Sequence, residues 1–287
     1  MKNNNPAFVF FGTAEFSIAV LNELKDAGFI PSLIVTSEDK PQGRKLVITS
    51  PPVKKWGEQH DTMVIQPKTL KKNLPPEIIN PPANRWDFFI IAAYGKILPS
   101  SILDLPKHGT LNVHPSLLPK LRGASPIQAA ILKDERQTGV TIMLVDEEVD
   151  HGPIIAQAKV TIEDWPPKAH TLRDLLAHVG GELLAETIPP WLNGNITPEK
   201  QDESKATYID KIKKEDGLID LNDDPYENFK KIQAFDIWPG AYFFTLRRGK
   251  KIRVKIADAE FKDKKLTITR VIPEGKKEMS YQDFLRG

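Results

Sequence analysis

Hydrophobic residues in the first half of the chain fall into short unbroken runs separated by longer amphipathic stretches. Ala7–Phe11 is such a run, closing on Gly12-Thr13. Phe16, Ala19, Val20, Leu21 and Leu24 then recur at helical spacing up to Gly28, and Pro31–Thr36 is apolar and β-branched again. The pattern predicts a strand–helix–strand unit over 7–36. Further strands are expected at Met63–Ile65, Phe88–Ala92 and Thr110–Val113, with a helix over Ala124–Lys133. Runs that are apolar throughout suit strands covered on both faces, so an open, mostly parallel, doubly wound α/β sheet is expected.

The pattern changes beyond residue 140. Val140–Val145 and Ile154–Ile162 read as two strands joined by the polar turn Asp146–Gly152. A long helix is expected over Thr171–Leu192, with Thr171 and Asp174 spaced as a capping box. "NGNITPEKQDESKAT" is polar and turn-rich and reads as a linker. Past it, Tyr208–Asp216 and Tyr226–Ala234 look helical. Ala241–Leu246, Ile252–Ile256, Ala259–Phe261 and Leu266–Arg270 look like short strands in quick succession. Such strands imply a small β-barrel or sandwich. The expected organisation is a first domain over 1–192, a linker over 193–206 and a second domain over 207–287.

Composition narrows the class. No apolar run approaches the length of a bilayer span, and residues 1–6 hold no signal-peptide core. There is no cysteine, which excludes disulfides, thiolate metal sites and a Cys nucleophile. A cytoplasmic, monomeric chain with no membrane contact is expected. Net charge is only +2, yet from Thr245 to Gly287 there are 13 Lys/Arg against 6 Asp/Glu. A basic tail on an acidic body points to a polyanionic partner, the plain alternative being a solvated surface.

"GTLNVHPSLLPKLRGASPIQ" carries the candidate chemistry. Asn112 and His114 end a predicted strand with their side chains on one side of it. Asn supplies a neutral donor for a developing oxyanion, and His donates or carries protons near neutral pH. "DEEVDHGPI" offers Asp150 to orient the imidazole. With no Ser or Cys nucleophile in the set, this combination suggests direct transfer without a covalent intermediate. His151 next to Asp150 raises a His/Asp metal site with His114, but adjacent Asp-His lacks dependable ligand spacing. "FFGTAEF" has one Gly where a dinucleotide fingerprint needs three, which weighs against an oxidoreductase.

"LNVHPSLLPKLRGASPIQAAI" followed by "TGVTIMLVDEEVDHGPIIAQ" resembles the folate-dependent formyltransferase superfamily. "FFGTAEFSIAVLNEL", "AAYGKILP", "IQAFDIWPGAYF" and "PEGKKEMSYQDFL" extend the likeness over nearly the whole chain, toward the branch that acts on methionyl-tRNA. The resemblance implies a Rossmann-like catalytic domain followed by an OB-like barrel that helps hold tRNA. It implies Asn112, His114 and Asp150 as the catalytic trio and no metal. It also implies 10-formyltetrahydrofolate as co-substrate, lined by Ser116, Leu117, Leu118 and Pro119. The loop with Ala93, Tyr94, Gly95, Ile97 and Leu98 would lie against the pterin. Initiator methionyl-tRNA is the implied partner. Arg44 and Lys45 would sit in the loop "KPQGRKLVITSPPVKKW" that grips the acceptor end. Arg247, Arg248, Lys251, Arg253 and Lys255 are the candidate contacts for its phosphates, and in a strand Lys251, Arg253 and Lys255 would share one face as a basic stripe. The rivals are a formyltransferase for an amino-sugar nucleotide, which shares the trio without needing the basic domain, and an RNA-binding protein without catalysis.

Overall fold

The computed structural model describes residues 6–43, 46–71, 74–82, 85–247 and 249–286. By internal contacts the chain forms two compact units. The first holds residues 1–122, 139–160 and 174–207, and the second holds 123–138, 161–173 and 208–287.

The first unit is built on a seven-stranded sheet. Its order is Ile154–Val160, Thr138–Leu144, Thr110–His114, Phe88–Ala92, Phe8–Gly12, Leu33–Val35, Met63–Ile65. The last five run parallel, and Thr138–Leu144 is antiparallel to Thr110–His114. Central strands read as continuous apolar runs because both faces are covered: Phe8, Val9, Phe10 and Phe11 are all buried. Phe8 stacks on Phe88 across the central pair, ring centroids 4.9 Å apart. Each such side chain, fully buried, stabilises the fold by roughly 1.5–3 kcal/mol. Met63–Ile65 lies at the sheet edge, so Met63 is exposed.

The helix Glu15–Asp26 buries Phe16, Val20, Leu21 and Leu24 on one stripe and ends where Gly28 takes φ +88°. Its first turn is tied to the sheet: Ser17 Oγ donates to the Ala92 carbonyl at 2.6 Å. A Cβ on Gly12 would lie 2.5 Å from the Phe10 ring and 2.8 Å from Ser17, so the chain can turn there only as glycine. The turn joins the carboxyl ends of Phe8–Gly12 and Phe88–Ala92. There the strand order reverses, the place where open α/β sheets bind ligands.

The second unit holds a four-stranded antiparallel sheet ordered Tyr242–Arg247, Lys250–Lys262, Lys265–Pro273, Met279–Ser280. Helix Pro225–Ala234 packs on this sheet and on helix Pro126–Leu132. Ile219, Ile232, Phe243, Val254, Ile256 and Val271 form its core.

Three expectations change. The two strands expected at Ile252–Ile256 and Ala259–Phe261 are one strand with a register shift at Asp258. That bulge explains the break in alternation: Val254, Ile256 and Ala259 are all buried because the extra residue resets the phase. Tyr208–Asp216 is not a helix but a two-residue strand, an extended stretch and one 3-10 turn at Lys214–Gly217. Residues 208–216 are exposed apart from half-buried Ile209 and Ile212, so a helix there has no apolar stripe to bury. The long helix begins at Ala169 rather than Thr171, so Thr171 lies inside it rather than at its N-cap, and Thr171 and Asp174 are both exposed. Pro166 and Pro167 close the bend that precedes the helix, which starts two residues past them at Ala169.

Candidate active site

Asn112 and His114 stand two residues apart on the strand Thr110–His114, opposite Met143 and Thr141 of the neighbouring strand. The loop after Thr138–Leu144 brings Asp150 to them. Its Oδ1 lies 3.4 Å from Asn112 Nδ2 and its Oδ2 lies 3.6 Å from His114 Nδ1. The three side chains that sequence singled out are therefore neighbours. His114 is 4% exposed, whereas Asn112 is half-buried, so the group opens to solvent on the Asn112 side.

The other imidazole nitrogen has a different partner. His114 Nε2 lies 3.0 Å from the Leu121 carbonyl oxygen. A carbonyl only accepts, so Nε2 carries the proton, and Nδ1 is the nitrogen directed at Asp150. Leu121 adopts φ +61° to present that oxygen, and Asp150 adopts φ +50°. Ala93, in the loop after Phe88–Ala92, has φ +49°. Three non-glycine residues in the left-handed region therefore sit on three loops at this end of the unit. Such conformations cost about 1–3 kcal/mol each and persist where surrounding bonds hold them.

The loop Ala92–Pro99 is anchored by Thr13 Oγ1 donating to the Tyr94 carbonyl at 3.2 Å and by Lys96 Nζ donating to the Pro67 carbonyl at 2.8 Å. Tyr94 is buried edge-on against Phe11. Its hydroxyl has no partner among the described residues, and burial pushes its pKa up to about 12. Leu98 is buried too, while Ile97 is 77% exposed. In the loop after His114, Ser116 Oγ donates to the Lys120 carbonyl at 2.7 Å and Leu118 N donates to Thr141 Oγ1 at 3.1 Å. Ser116 and Leu118 are thus spent on holding the loop, leaving half-buried Leu117 and Pro119 as its accessible surface.

His151 does not join His114. Its Nδ1 bonds Asp146 Oδ2 at 2.6 Å and its Nε2 lies 3.5 Å from Glu203 Oε1. The Asp146 bond raises the pKa of His151 above its ordinary 6.5. Glu203 also receives Arg122, which is fully buried, at 2.7 and 2.9 Å, and that guanidinium holds the Glu203 carboxyl below its usual range. Sequence reading missed Leu121, Arg122, Gln201, Glu203 and Thr207. Leu121 and Arg122 lie within the quoted motif but carry no role by residue type, and no motif marks Gln201, Glu203 or Thr207, because each acts through a backbone group or a neighbour.

Residues 5–188 match the formyl transferase family, and residues 211–265 match the formyl transferase C-terminal domain. The chain belongs to the formyl transferase family. It is 40% identical to the methionyl-tRNA formyltransferase of Bacillus subtilis over 302 residues, covering 97% of this chain and 94% of that protein. It is 38% identical to that of Thermodesulfovibrio yellowstonii over 308 residues, with 97% and 95% covered. The fold also resembles the solved methionyl-tRNA formyltransferase of Clostridium thermocellum. There the TM-score is 0.60 at 18% identity, covering 96% of this chain and 99% of that one. An N-formyltransferase from Helicobacter canadensis, solved with folinic acid and dTDP-3-aminofucose, gives TM-score 0.64 at 18% identity over 90% and 88%.

In the formyl transferase C-terminal part, Lys251, Arg253 and Lys255 share one sheet face with Tyr242, Phe244 and Leu246, their register partners. Arg253 lies over the Tyr242 ring at 3.9 Å and Lys251 over Phe244 at 4.6 Å. Phe244 and Leu246 are exposed, so this face interleaves cations with apolar surface. Arg247 falls on the opposite face and stacks on Phe284 at 4.5 Å. Arg44, Lys45 and Arg248 lie outside the described residues. The strands Lys40–Gln42 and Val47–Thr49 that flank the first two pair as a hairpin exposing Val47 and Ile48. No helix among the described residues is long and apolar enough to cross a membrane. Glu23, His178 and Glu182 bring ligand-type atoms within 4.8 Å of one another, with His178 and Glu182 exposed.

Proposed function

We propose that the chain transfers the formyl group of 10-formyltetrahydrofolate to the α-amino group of methionyl-initiator tRNA, giving N-formylmethionyl-tRNA for translation initiation. The observation that carries this is the juxtaposition of Asn112, His114 and Asp150 in a chain 40% identical to a methionyl-tRNA formyltransferase over nearly its whole length.

The amine nitrogen attacks the formyl carbon, forming a C–N bond and leaving charge on the formyl oxygen. Asn112 Nδ2 donates to that oxygen, and such a donor is worth roughly two to three orders of magnitude in rate; His114, whose Nε2–H is held by the Leu121 carbonyl, has Nδ1 left to move the proton. The proton lost by the amine passes through the His114–Asp150 pair to N10 as the C–N10 bond breaks, releasing tetrahydrofolate. Holding both reactants side by side supplies much of the remaining acceleration. The loops Ala92–Pro99 and Ser116–Pro119 line the folate. Ala93, Gly95 and Ile97 offer backbone and exposed surface there, and Leu117 and Pro119 face it from the second loop. Tyr94, Leu98, Ser116 and Leu118 support the two loops from below. The domains we assign are catalysis over 1–192, a linker over 193–206 and tRNA binding over 207–287, in a cytoplasmic monomer. Arg44 and Lys45 hold the acceptor end, and Lys251, Arg253 and Lys255 hold phosphates.

The test is formylation of methionyl-initiator tRNA by the purified chain with 10-formyltetrahydrofolate. Formylation of an amino-sugar nucleotide, with none of the charged tRNA, would replace this reading with its rival.

A further inference from the structure

The geometry points to Gln201 and Thr207, within the polar segment that separates the two family matches, as positioning residues that hold Asp150 and His114 in register. This inference rests on the formyl-transfer reading of the trio.

Gln201 is 5% exposed, and its amide is fully used. Nε2 donates to the Asp150 carbonyl at 2.9 Å and to the Gly152 carbonyl at 2.7 Å. Oε1 accepts from Arg122 Nε at 3.1 Å and from a terminal guanidinium nitrogen at 2.8 Å. These partners fix which end of the amide is which, since carbonyls accept and a guanidinium donates. One side chain thereby joins the left-handed Asp150 to the residue that follows Leu121.

Thr207 holds the other half. Its Oγ1 accepts from Leu121 N at 2.9 Å, its carbonyl accepts from Arg122 N at 2.9 Å, and its N donates to the Pro119 carbonyl at 3.2 Å. Leu121 is thus gripped at its amide while its carbonyl meets His114 Nε2. Glu203, between the two, pairs with Arg122. The segment 201–207 acts as a strap with one end on the carboxylate's loop and the other on the imidazole's partner. A side chain that only filled space would not place two donors on carbonyls and two acceptor bonds on a buried cation.

Two pairs of variants of the full-length chain test this. Gln201→Ala removes the clamp, and Gln201→Glu keeps its shape and its Arg122 pairing but replaces the two donors with an acceptor oxygen facing the Asp150 and Gly152 carbonyls. Both should lower kcat by about tenfold to a hundredfold, with KM for methionyl-tRNA and for 10-formyltetrahydrofolate within about threefold of wild type. Thr207→Val should lower kcat likewise and mix the His114 tautomers seen by nitrogen NMR of the imidazole. Thr207→Ser, which keeps the hydroxyl, should restore both. Wild-type kcat in the Gln201 variants or in Thr207→Val would overturn the proposal, as would activity lost only in proportion to unfolded protein by circular dichroism. If Gln201→Ala does not fold, the Thr207 pair decides. A wild-type chain inactive on methionyl-tRNA would sink the reaction instead, and the His114 tautomer in the Thr207 variants would still decide the positioning role.

Discussion

His114 donates its Nε2–H to the carbonyl oxygen of Leu121 at 3.0 Å, so Nδ1 is the nitrogen that faces Asp150. The relationship sets the direction in which the imidazole can move a proton. It also separates the two roles of the ring: one nitrogen anchors it, and the other does chemistry. Removing the ring should therefore cost both orientation and proton transfer. Asn112→Ala, His114→Ala and Asp150→Ala are each expected to lower formyl transfer by at least about a hundredfold, with folding intact by circular dichroism. Single-turnover rates with saturating substrates make the check. Any variant within a few-fold of wild type removes its residue from the mechanism.

Gly152 gives a steric prediction two residues from Asp150. A Cβ there would lie 2.0 Å from the Leu144 carbonyl oxygen, which is backbone and cannot rotate away. Gly152→Ala must displace the turn that carries Asp150. We expect a loss of roughly 1–3 kcal/mol in stability together with reduced kcat. Urea melts and rates measure both. Wild-type values for each would show that the turn accommodates the methyl.

His151 gives a pH prediction. Its hydrogen bond to Asp146 raises its pKa above 6.5, with Glu148 and Glu203 adding in the same direction. A raised folded-state pKa means that protonation stabilises the fold. That contribution is fully present below the unfolded value and is lost as pH rises through the folded one. The Tm advantage of wild type over His151→Gln should thus be largest below pH 6.5 and shrink as pH rises past the raised value. A constant or growing advantage would contradict the assignment.

Most of the fold was legible because buried parallel strands leave unbroken apolar runs, as at Phe8–Gly12 and Phe88–Ala92. Asn112, His114 and Asp150 were legible because chemistry demands their residue types. Gln201 and Thr207 were not. A stretch with few apolar residues reads as linker, yet Gln201 is buried through hydrogen bonds rather than through hydrophobicity. The bulge at Asp258 was hidden for a related reason: a one-residue phase change looks like two strands. Strand alternation alone put Lys251, Arg253 and Lys255 on one face, but separating Arg247 from them needed the hairpin register.

That separation sharpens the last prediction. Lys251, Arg253 and Lys255 lie on one face, two of them stacked over Phe244 and Tyr242, while Arg247 packs over Phe284 on the other. A face of cations beside exposed aromatic surface suits an RNA backbone, read by charge and shape. Each phosphate that a cation neutralises releases counterions, so affinity falls as salt rises. Replacing Lys251, Arg253 and Lys255 together with Gln should weaken tRNA binding and reduce the salt slope by about two to three. Arg247→Gln should leave that slope unchanged and instead cost stability through the lost Phe284 contact. Arg44→Ala should slow formyl transfer with little change in the slope, because its loop would place the acceptor end rather than hold the body of the tRNA. Filter binding across a salt series, alongside single-turnover formylation, separates the three. If the triple substitution leaves affinity and slope as they were, the stripe is a solvated face. A small amine acceptor would then be the better substrate to try.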